Sequence, residues 1–246
     1  MGDIVEVYRS KKRFDVEKLK KEVENFRKDL SFKNGFHRHS IPLLMPEQVA
    51  RDYKNFYQNV PYSNAVSSSP YLKGIFNSLK APKASGRLLR RGPNSRYGLH
   101  DDGPDFSLAR FQIPIVTPEN AYLVTTDVDF NVFRELKDEE TKMKLLFRKY
   151  SNRIRFDYLE PGYMYHFDVS KTHTLINLGS SERLTVCIEL VKNAWTDKYV
   201  KNDFIPVKNT VKLSLNDVLG SRAEKGNGPN KKTLVAKYLS HLSASL

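Results

Sequence analysis

The sequence predicts a mainly β protein of jelly-roll type, with a helical region before the sheet and a helical tail after it. Three observations carry this expectation. From about Arg87 to Lys192 the hydrophobic period is two, as in half-buried strands. Turn signals interrupt that stretch at close spacing, as sandwiches and jelly rolls require. On either side the period returns to that of a helix. The 246 residues suffice for one good-sized domain with extensions. We expect a helical region over 1–85 that packs on the core, a β core over 86–195, and a C-terminal extension over 196–246, suited to a lid or a homodimer contact.

In chain order, DVEKLKKEVENFRKDL places Leu19, Val23, Phe26 and Leu30 on one helical face, with Asp15 positioned to cap. PEQVARDYKNFYQNV follows, with Pro46 suited to a first helical turn and Val49, Tyr53 and Phe56 on one stripe. SPYLKGIFNSLK predicts a third short helix, and KAPKASG ends the helical region. ARFQIPIV then alternates, with Phe111, Ile113 and Ile115 on one face and Arg110 and Gln112 on the other. YLVTT, FNVFREL, RIRFDYL, YMYHFDV, HTLINL and ERLTVCIEL read as further strands. TPEN, Pro161-Gly162 and Leu178-Gly179-Ser180-Ser181 supply turns between them. In the tail, SLNDVLGS and KKTLVAKYLSHL read as helices, joined by a flexible AEKGNGPNKK.

Composition narrows the function classes. The chain is 39% hydrophobic and 28% charged, ordinary for a soluble globular protein, and no apolar run is long enough to span a bilayer. MGDIVEVYRSKKRF has no apolar leader, and the lone Cys187 excludes an internal disulfide framework and a cysteine-based zinc site. Cys187, within LTVCIEL, reads as a small core residue. These features predict a cytoplasmic protein. The net charge is +13. Between Asp52 and Asp101 there is no acid, but Lys54, Lys73, Lys80, Lys83, Arg87, Arg90, Arg91 and Arg96 are basic. This excess predicts an anionic ligand, with the charge facing the mouth of the site.

Chemistry gathers first at His100-Asp101-Asp102. In a strand, residues i and i+2 share a face, so His100 and Asp102 can grip one ion while Asp101 points away. One imidazole and one carboxylate are two-thirds of the facial triad that leaves positions open on non-haem Fe(II). The remaining histidines are His37, His39, His166, His173 and His241. His37 and His39 precede the sheet, and His241 lies in the tail. His166 sits inside a strand as a candidate core histidine, while His173 begins a strand after the loop DVSKT. Arg183 opens the strand RLTVCIEL, sharing a face with Thr185 and Cys187 opposite Leu184, Val186 and Ile188. An arginine at a barrel mouth suits a dicarboxylate, because its planar fork takes a carboxylate in two parallel hydrogen bonds.

Together His100-x-Asp102, His173 and Arg183 resemble the aspartyl/asparaginyl β-hydroxylase-like family of iron- and 2-oxoglutarate-dependent oxygenases, over roughly residues 86 to 192. GRLLRRGPNSRYGLHDD looks like the approach to the metal. ARFQIPIVT looks like the strand that carries an arginine inward. LEPGYMYHFDVSKTHTLINLGSSERLTVCIEL is the most similar run. The resemblance implies a double-stranded β-helix of cupin-like form. It implies Fe(II) on His100, Asp102 and His173, a supporting role for Asp168 in the loop before His173, and 2-oxoglutarate with its far carboxylate on Arg183. Arg110 and Gln112 would contact the co-substrate or substrate. Many relatives have histidine where this chain has Gln112, and some lack the carboxylate ligand that Asp102 supplies here.

The implied reaction consumes O2 and 2-oxoglutarate, releases succinate and CO2, and hydroxylates an unactivated C–H bond. Halogenation is excluded on this reading, because Asp102 fills the position a halide would need. The expected substrate is a small carboxylated molecule, above all an amino acid, or an amino-acid side chain on a peptide or protein. A substrate carboxylate could meet Arg90, Arg91, Arg96 or Arg110. Two other readings stand beside this one. A non-oxidative metal-binding cupin, either an isomerase or a ligand-binding module, would use the same ligands without needing Arg183. A nucleic-acid binder would use the +13 charge, but no binding motif is present and the aromatics belong to apolar alternation.

Overall fold

The computed structural model describes residues 5–29, 40–44, 64–102, 108–208 and 210–223. The N-terminal part contributes β1 (Val7–Arg13), α1 (Val16–Asp29), β2 (Ser40–Pro42), α2 (Asn64–Ser67) and α3 (Pro70–Ser78). The central part follows as β3 (Lys83–Arg91), β4 (Ser95–Arg96), β5 (Leu108–Val116), β6 (Ala121–Thr126), α4 (Asn131–Arg134) and α5 (Glu139–Tyr150). It continues through β7 (Ile154–Tyr158), β8 (Tyr163–Phe167), β9 (Thr172–Asn177) and β10 (Arg183–Val191). The chain then forms α6 (Ala194–Asp203), β11 (Phe204–Pro206), β12 (Thr210–Val211), α7 (Leu215–Leu219) and β13 (Arg222–Ala223).

The strands make two sheets, ordered β11-β1-β8-β5-β10-β3-β2 and β12-β7-β6-β9-β4-β13. The eight strands β3 to β10 form the jelly roll. One sheet takes the first, third, sixth and eighth of them, and the other takes the second, fourth, fifth and seventh. Their ladders are antiparallel; the parallel pair β13·β4 lies outside this set of eight. β5 and β10 lie at the centre of the first sheet and are buried on both faces. Phe111, Ile113, Ile115, Leu184, Val186 and Ile188 face outward into a core closed by Leu19 and Val23 of α1 and Leu72, Ile75 and Phe76 of α3. The outer face of the second sheet, with Tyr122, Val124, Phe156 and Ile176, packs on Phe133 of α4, Met143 and Leu146 of α5 and Val218 of α7. Between the sheets, Val7, Leu123, Leu159, Tyr165 and Phe167 make a smaller apolar cluster.

Local chemistry explains the elements. Asp15 Oδ1 accepts from Lys18 N at 3.0 Å, so the expected cap of α1 is made, and Leu19 and Val23 are buried. The side chains of Phe26 and Leu30 lie outside the described residues, as do all of PEQVARDYKNFYQNV and all of KKTLVAKYLSHL. Pro114 sits in a central strand despite lacking an N–H, and the β5·β10 register shifts beside it, between Leu184 and Thr185. Gly162 turns β7 into β8 with φ +88°, and a Cβ there would lie 2.6 Å from Val16 Cγ2.

Three expectations need correction. FNVFREL contains the helix α4, not a strand: Asp129 Oδ1 accepts from Asn131 N at 2.8 Å and starts a helical turn that buries Phe133. Alternation would group Phe130, Val132 and Leu136, but the helical turn groups Phe130, Phe133 and Leu136 and leaves Val132 exposed. The region over 1–85 is helical only in part. β1 and β2 join the first sheet, β1 beside β8 and β2 beside β3, and β3 itself starts at Lys83 within KAPKASG. Two helices interrupt or follow the strands where none was expected. Asp138 caps α5 by accepting from Thr141 N at 2.7 Å, and Asn193 with Thr196 forms a capping box on α6. Among the described residues, no helix is long and apolar enough to cross a membrane.

Candidate metal centre

The site begins with a pairing between two distant stretches. Beyond β4, Tyr97 N donates to Leu175 O at 2.8 Å. His100 and His173 then exchange both backbone bonds, His100 N to His173 O at 3.1 Å and His173 N to His100 O at 2.8 Å. Asp102 N donates to Val169 O at 3.0 Å, which docks it on the loop before β9. That loop is shaped by Asp168, whose Oδ1 accepts from Ser170 N at 3.0 Å and Ser170 Oγ at 2.7 Å. Glu139, in the first turn of α5, accepts from Leu99 N at 2.6 Å and steadies the other side.

These backbones bring His100, Asp102 and His173 together, with one ligand atom of each within 4.8 Å of the others. Both imidazoles are oriented by carbonyls. His100 Nδ1 donates to Gly98 O at 2.7 Å and His173 Nδ1 to Lys171 O at 2.8 Å. A carbonyl only accepts, so Nδ1 carries the proton and Nε2 keeps its lone pair. Burial, with His100 alongside, pushes His173 down to about 3, while burial lowers His100 against the opposing pull of Asp102. Both rings are therefore neutral at pH 7, as metal ligation requires. Two such nitrogens and a carboxylate are a donor set suited to Fe(II).

His166 is not part of this group. It lies on the outward face of β8, stacked on Phe111 with ring centroids 5.1 Å apart, and its Nδ1 donates to Arg110 O at 2.9 Å. His37, His39 and His241 lie outside the described residues.

The inward faces of the two sheets surround the trio with polar groups. On β10 these are Arg183, Thr185, Cys187 and Glu189, which lie opposite Arg91, Leu89, Arg87 and Ser85 of β3. On β5 they are Arg110 and Gln112, and on β6 Thr125, directly across from His173. Arg183 is 2% exposed, and burial, with Arg91 nearby, lowers its guanidinium to about 10. Its Nη2 has no hydrogen-bond partner; the same holds for Gln112 Oε1, Thr125 Oγ1 and Thr185 Oγ1. Buried polar atoms without partners are costly, so their concentration between the sheets marks a place for a polar ligand. Burial likewise raises the Cys187 thiol, which stays protonated.

Arg110, expected to contact the co-substrate or the substrate, has two carboxylate partners within the chain. Its Nη1 donates to Asp102 Oδ2, and its Nε donates to Glu189 Oε1 at 3.1 Å. Glu189 was not singled out by sequence, though it continues the i+2 series Arg183, Thr185, Cys187. Burial alone would raise its carboxyl; the guanidiniums of Arg110 and Arg87 reverse this and hold it at about 2. A second residue missed by sequence is Asn177. Its Nδ2 donates to Gly92 O at 2.7 Å and Ser181 O at 2.8 Å, tying the turn before Arg183 to the turn before β4.

The basic stretch before the site does not form one patch. Arg90 pairs with Glu182 at 2.7 Å and, by alternation, faces away from Arg91. Arg96 donates to Val218 O at 3.2 Å and to Ser221, beneath α7. Arg91 faces inward over the Tyr97 ring at 4.6 Å, and Arg87 pairs with Glu189 at 3.5 Å. Lys54 lies outside the described residues.

No family model matches the chain, and no curated protein matches it. Neither comparison shows the aspartyl/asparaginyl β-hydroxylase-like family, which stands as a resemblance of motifs. Solved structures of similar shape include AviO1 from Streptomyces viridochromogenes Tue57, 13% identical over 78% of this chain and 92% of that one, with a TM-score of 0.45. EctD from S. alaskensis, solved with 2-oxoglutarate and 5-hydroxyectoine, is 16% identical over 77% and 73%, with a TM-score of 0.46. HygX from Streptomyces hygroscopicus, with nickel and 2-oxoglutarate bound, is 13% identical over 73% and 78%, with a TM-score of 0.42.

Proposed function

We propose that this chain is an Fe(II)- and 2-oxoglutarate-dependent dioxygenase that hydroxylates an unactivated C–H bond of an amino acid or amino-acid side chain. One observation carries the reading: the His100–Asp102–His173 trio shares its interior with Arg183, a buried guanidinium whose Nη2 has no partner. The trio alone would suit a non-oxidative cupin. A buried cation facing the same space asks for an anion as well, and a dicarboxylate anchored at one end by its fork satisfies it. When bound, the iron and 2-oxoglutarate supply the oxidising power for C–H hydroxylation with O2, with succinate and CO2 released.

The chain's own residues do the rest. His100 and His173 present Nε2 from rings fixed by Gly98 and Lys171. Asp102 adds the single carboxylate, and Arg183 sets the direction from which a dicarboxylate approaches. Apolar Leu123, Tyr165 and Phe167 limit water between the sheets. The inward guanidinium of Arg91 favours a small carboxylated substrate.

The experiment is succinate release from 2-oxoglutarate with Fe(II) over a panel of amino acids and peptides, run with His173→Ala and His166→Ala. Turnover in the unmodified protein and in His166→Ala, together with loss of ion binding in His173→Ala, is the expected result. Ion binding without 2-oxoglutarate binding would favour the non-oxidative cupin. Loss of the ion in His166→Ala alone would mean that the wrong histidine is assigned.

A further inference from the structure

The outer face of the first sheet carries a cavity away from the trio. It measures about 520 Å³ and opens to solvent between α6, β11 and the strands β1, β8 and β5. That volume lies within the roughly 300–1,000 Å³ of small-molecule sites. Its floor is His166, paired in register with Tyr8 of β1 and backed by the stacked ring of Phe111. Val200 of α6 and Phe204 of β11 add apolar walls. Successive strand residues face opposite ways, so His166 lies across the sheet from Tyr165 and Phe167, which face the interior.

The polar groups of this cavity are uncommitted. His166 Nδ1 donates to the Arg110 carbonyl at 2.9 Å, so Nε2 of the neutral ring keeps its lone pair. Burial lowers the ring against the pull of that bond, which leaves it neutral at pH 7. Among the described residues, His166 Nε2 has no hydrogen-bond partner. Lys192, Asp197 and Lys201 stand at the rim. Asp197 and Lys201 have the i, i+4 spacing at which an acid and a base can pair along a helix. Yet neither forms an ion pair among the described residues, and nor does Lys192. Two ammoniums against one carboxylate leave a net positive rim above an apolar floor that ends in an acceptor.

We propose that this cavity binds a small monocarboxylate with an apolar body and one hydroxyl group. The carboxylate meets Lys192 and Lys201, the apolar body lies on Tyr8, Val200 and Phe204, and the hydroxyl donates to His166 Nε2. An inorganic phosphate fits less well, having no apolar body and more negative charge to place beside Asp197. 2-Oxoglutarate also fits less well, because it has no donor for an imidazole lone pair. The site does not depend on the metal reading, since none of its groups belongs to the trio.

The test titrates para-hydroxyphenylacetate into the full chain without metal, followed by calorimetry and by the imidazole nitrogen resonances of labelled protein. Saturable binding is expected, with a shift of the His166 Nε2 resonance. Phenylacetate, which lacks the hydroxyl, should bind about fivefold more weakly, and tyramine, which lacks the carboxylate, should bind more weakly than para-hydroxyphenylacetate. Lys192→Gln and Lys201→Gln should each weaken binding about twofold to fivefold. His166→Phe, which keeps a ring on Phe111, should abolish the preference for para-hydroxyphenylacetate over phenylacetate. The two surface lysine variants carry the test if His166→Phe does not fold. Arg183→Ala should bind the probe as the unmodified chain does. No saturable binding, equal binding of all three probes, or full affinity in both lysine variants would overturn the proposal. Loss of binding in Arg183→Ala, with no shift at His166, would put the probe in the metal centre and overturn it equally.

Discussion

The outward and inward faces of β5 and β10 are built from the same strands and buried to similar depth, yet they differ in almost every chemical respect. Outward lie Phe111, Ile113, Ile115, Leu184, Val186 and Ile188, in an apolar core under the N-terminal helices. Inward lie Arg110, Gln112, Arg183, Thr185 and Glu189, several with polar atoms lacking any partner. In an ordinary sandwich the apolar faces meet each other. Here the largest apolar faces turn to helices, and the space between the sheets holds the charged and hydrogen-bonding groups beside a smaller apolar cluster. Stability is concentrated outside the barrel and chemistry inside it, so a change on one face should leave the other face's property largely intact.

The largest expected effect is on the outer face. Phe111→Ala should cost about 3–5 kcal/mol of folding stability, read as a drop in the denaturation midpoint, while the protein that remains folded binds metal as before. A matching loss of ion affinity would show that the faces are not independent. Next is Arg183→Ala, which should weaken 2-oxoglutarate binding by about 2–5 kcal/mol in calorimetric titration and leave the ion bound. Unchanged affinity would remove Arg183 from the site.

Acid titration probes the inward charges. Glu189 is held at about 2 against an ordinary 4.5, so its contribution is present above pH 4.5 and is lost as pH falls through about 2. The stability gap between the unmodified protein and Glu189→Gln should therefore be widest above pH 4.5 and close toward pH 2. A gap independent of pH would mean that Glu189 acts by packing. The smallest effect is at Gln112, whose Oε1 lacks a partner. Gln112→Leu should be neutral or stabilising by about 1 kcal/mol in thermal unfolding, while lowering turnover. Strong destabilisation there would show that Gln112 is a structural residue.

Much of this contrast could be read before folding, because alternation assigns residues to faces without any tertiary knowledge. The two faces of β5 and β10 and the His100/His173/Arg183 set were visible in spacing and motif likeness. What alternation cannot supply is the partner across the sheet. The resemblance points Arg110 toward co-substrate or substrate; the structure adds a partner that alternation does not show, Glu189, one strand away. Arg90 and Arg91 looked equivalent in a basic run, yet adjacent strand residues must face opposite ways. The helices α4, α5 and α6 were hidden for another reason. Their starts depend on a turn made by Asp129, the cap Asp138 and the capping box of Asn193 with Thr196, local chemistry that a count of apolar periods passes over.

The reciprocal backbone bonds between His100 and His173 also bear on how the chain folds. Among the described residues, the two histidines belong to segments with two α-helices and four strands between them, so they become neighbours only after β4 has found β9. Such closure carries a large entropic cost before any contact rewards it, which makes this pairing a late and slow event. If the trio holds a metal as proposed, the ion should act chiefly as a ligand of the native state. At a free concentration a hundredfold above its Kd it should add about 2.7 kcal/mol to stability, chiefly by slowing unfolding, with the folding rate almost unchanged.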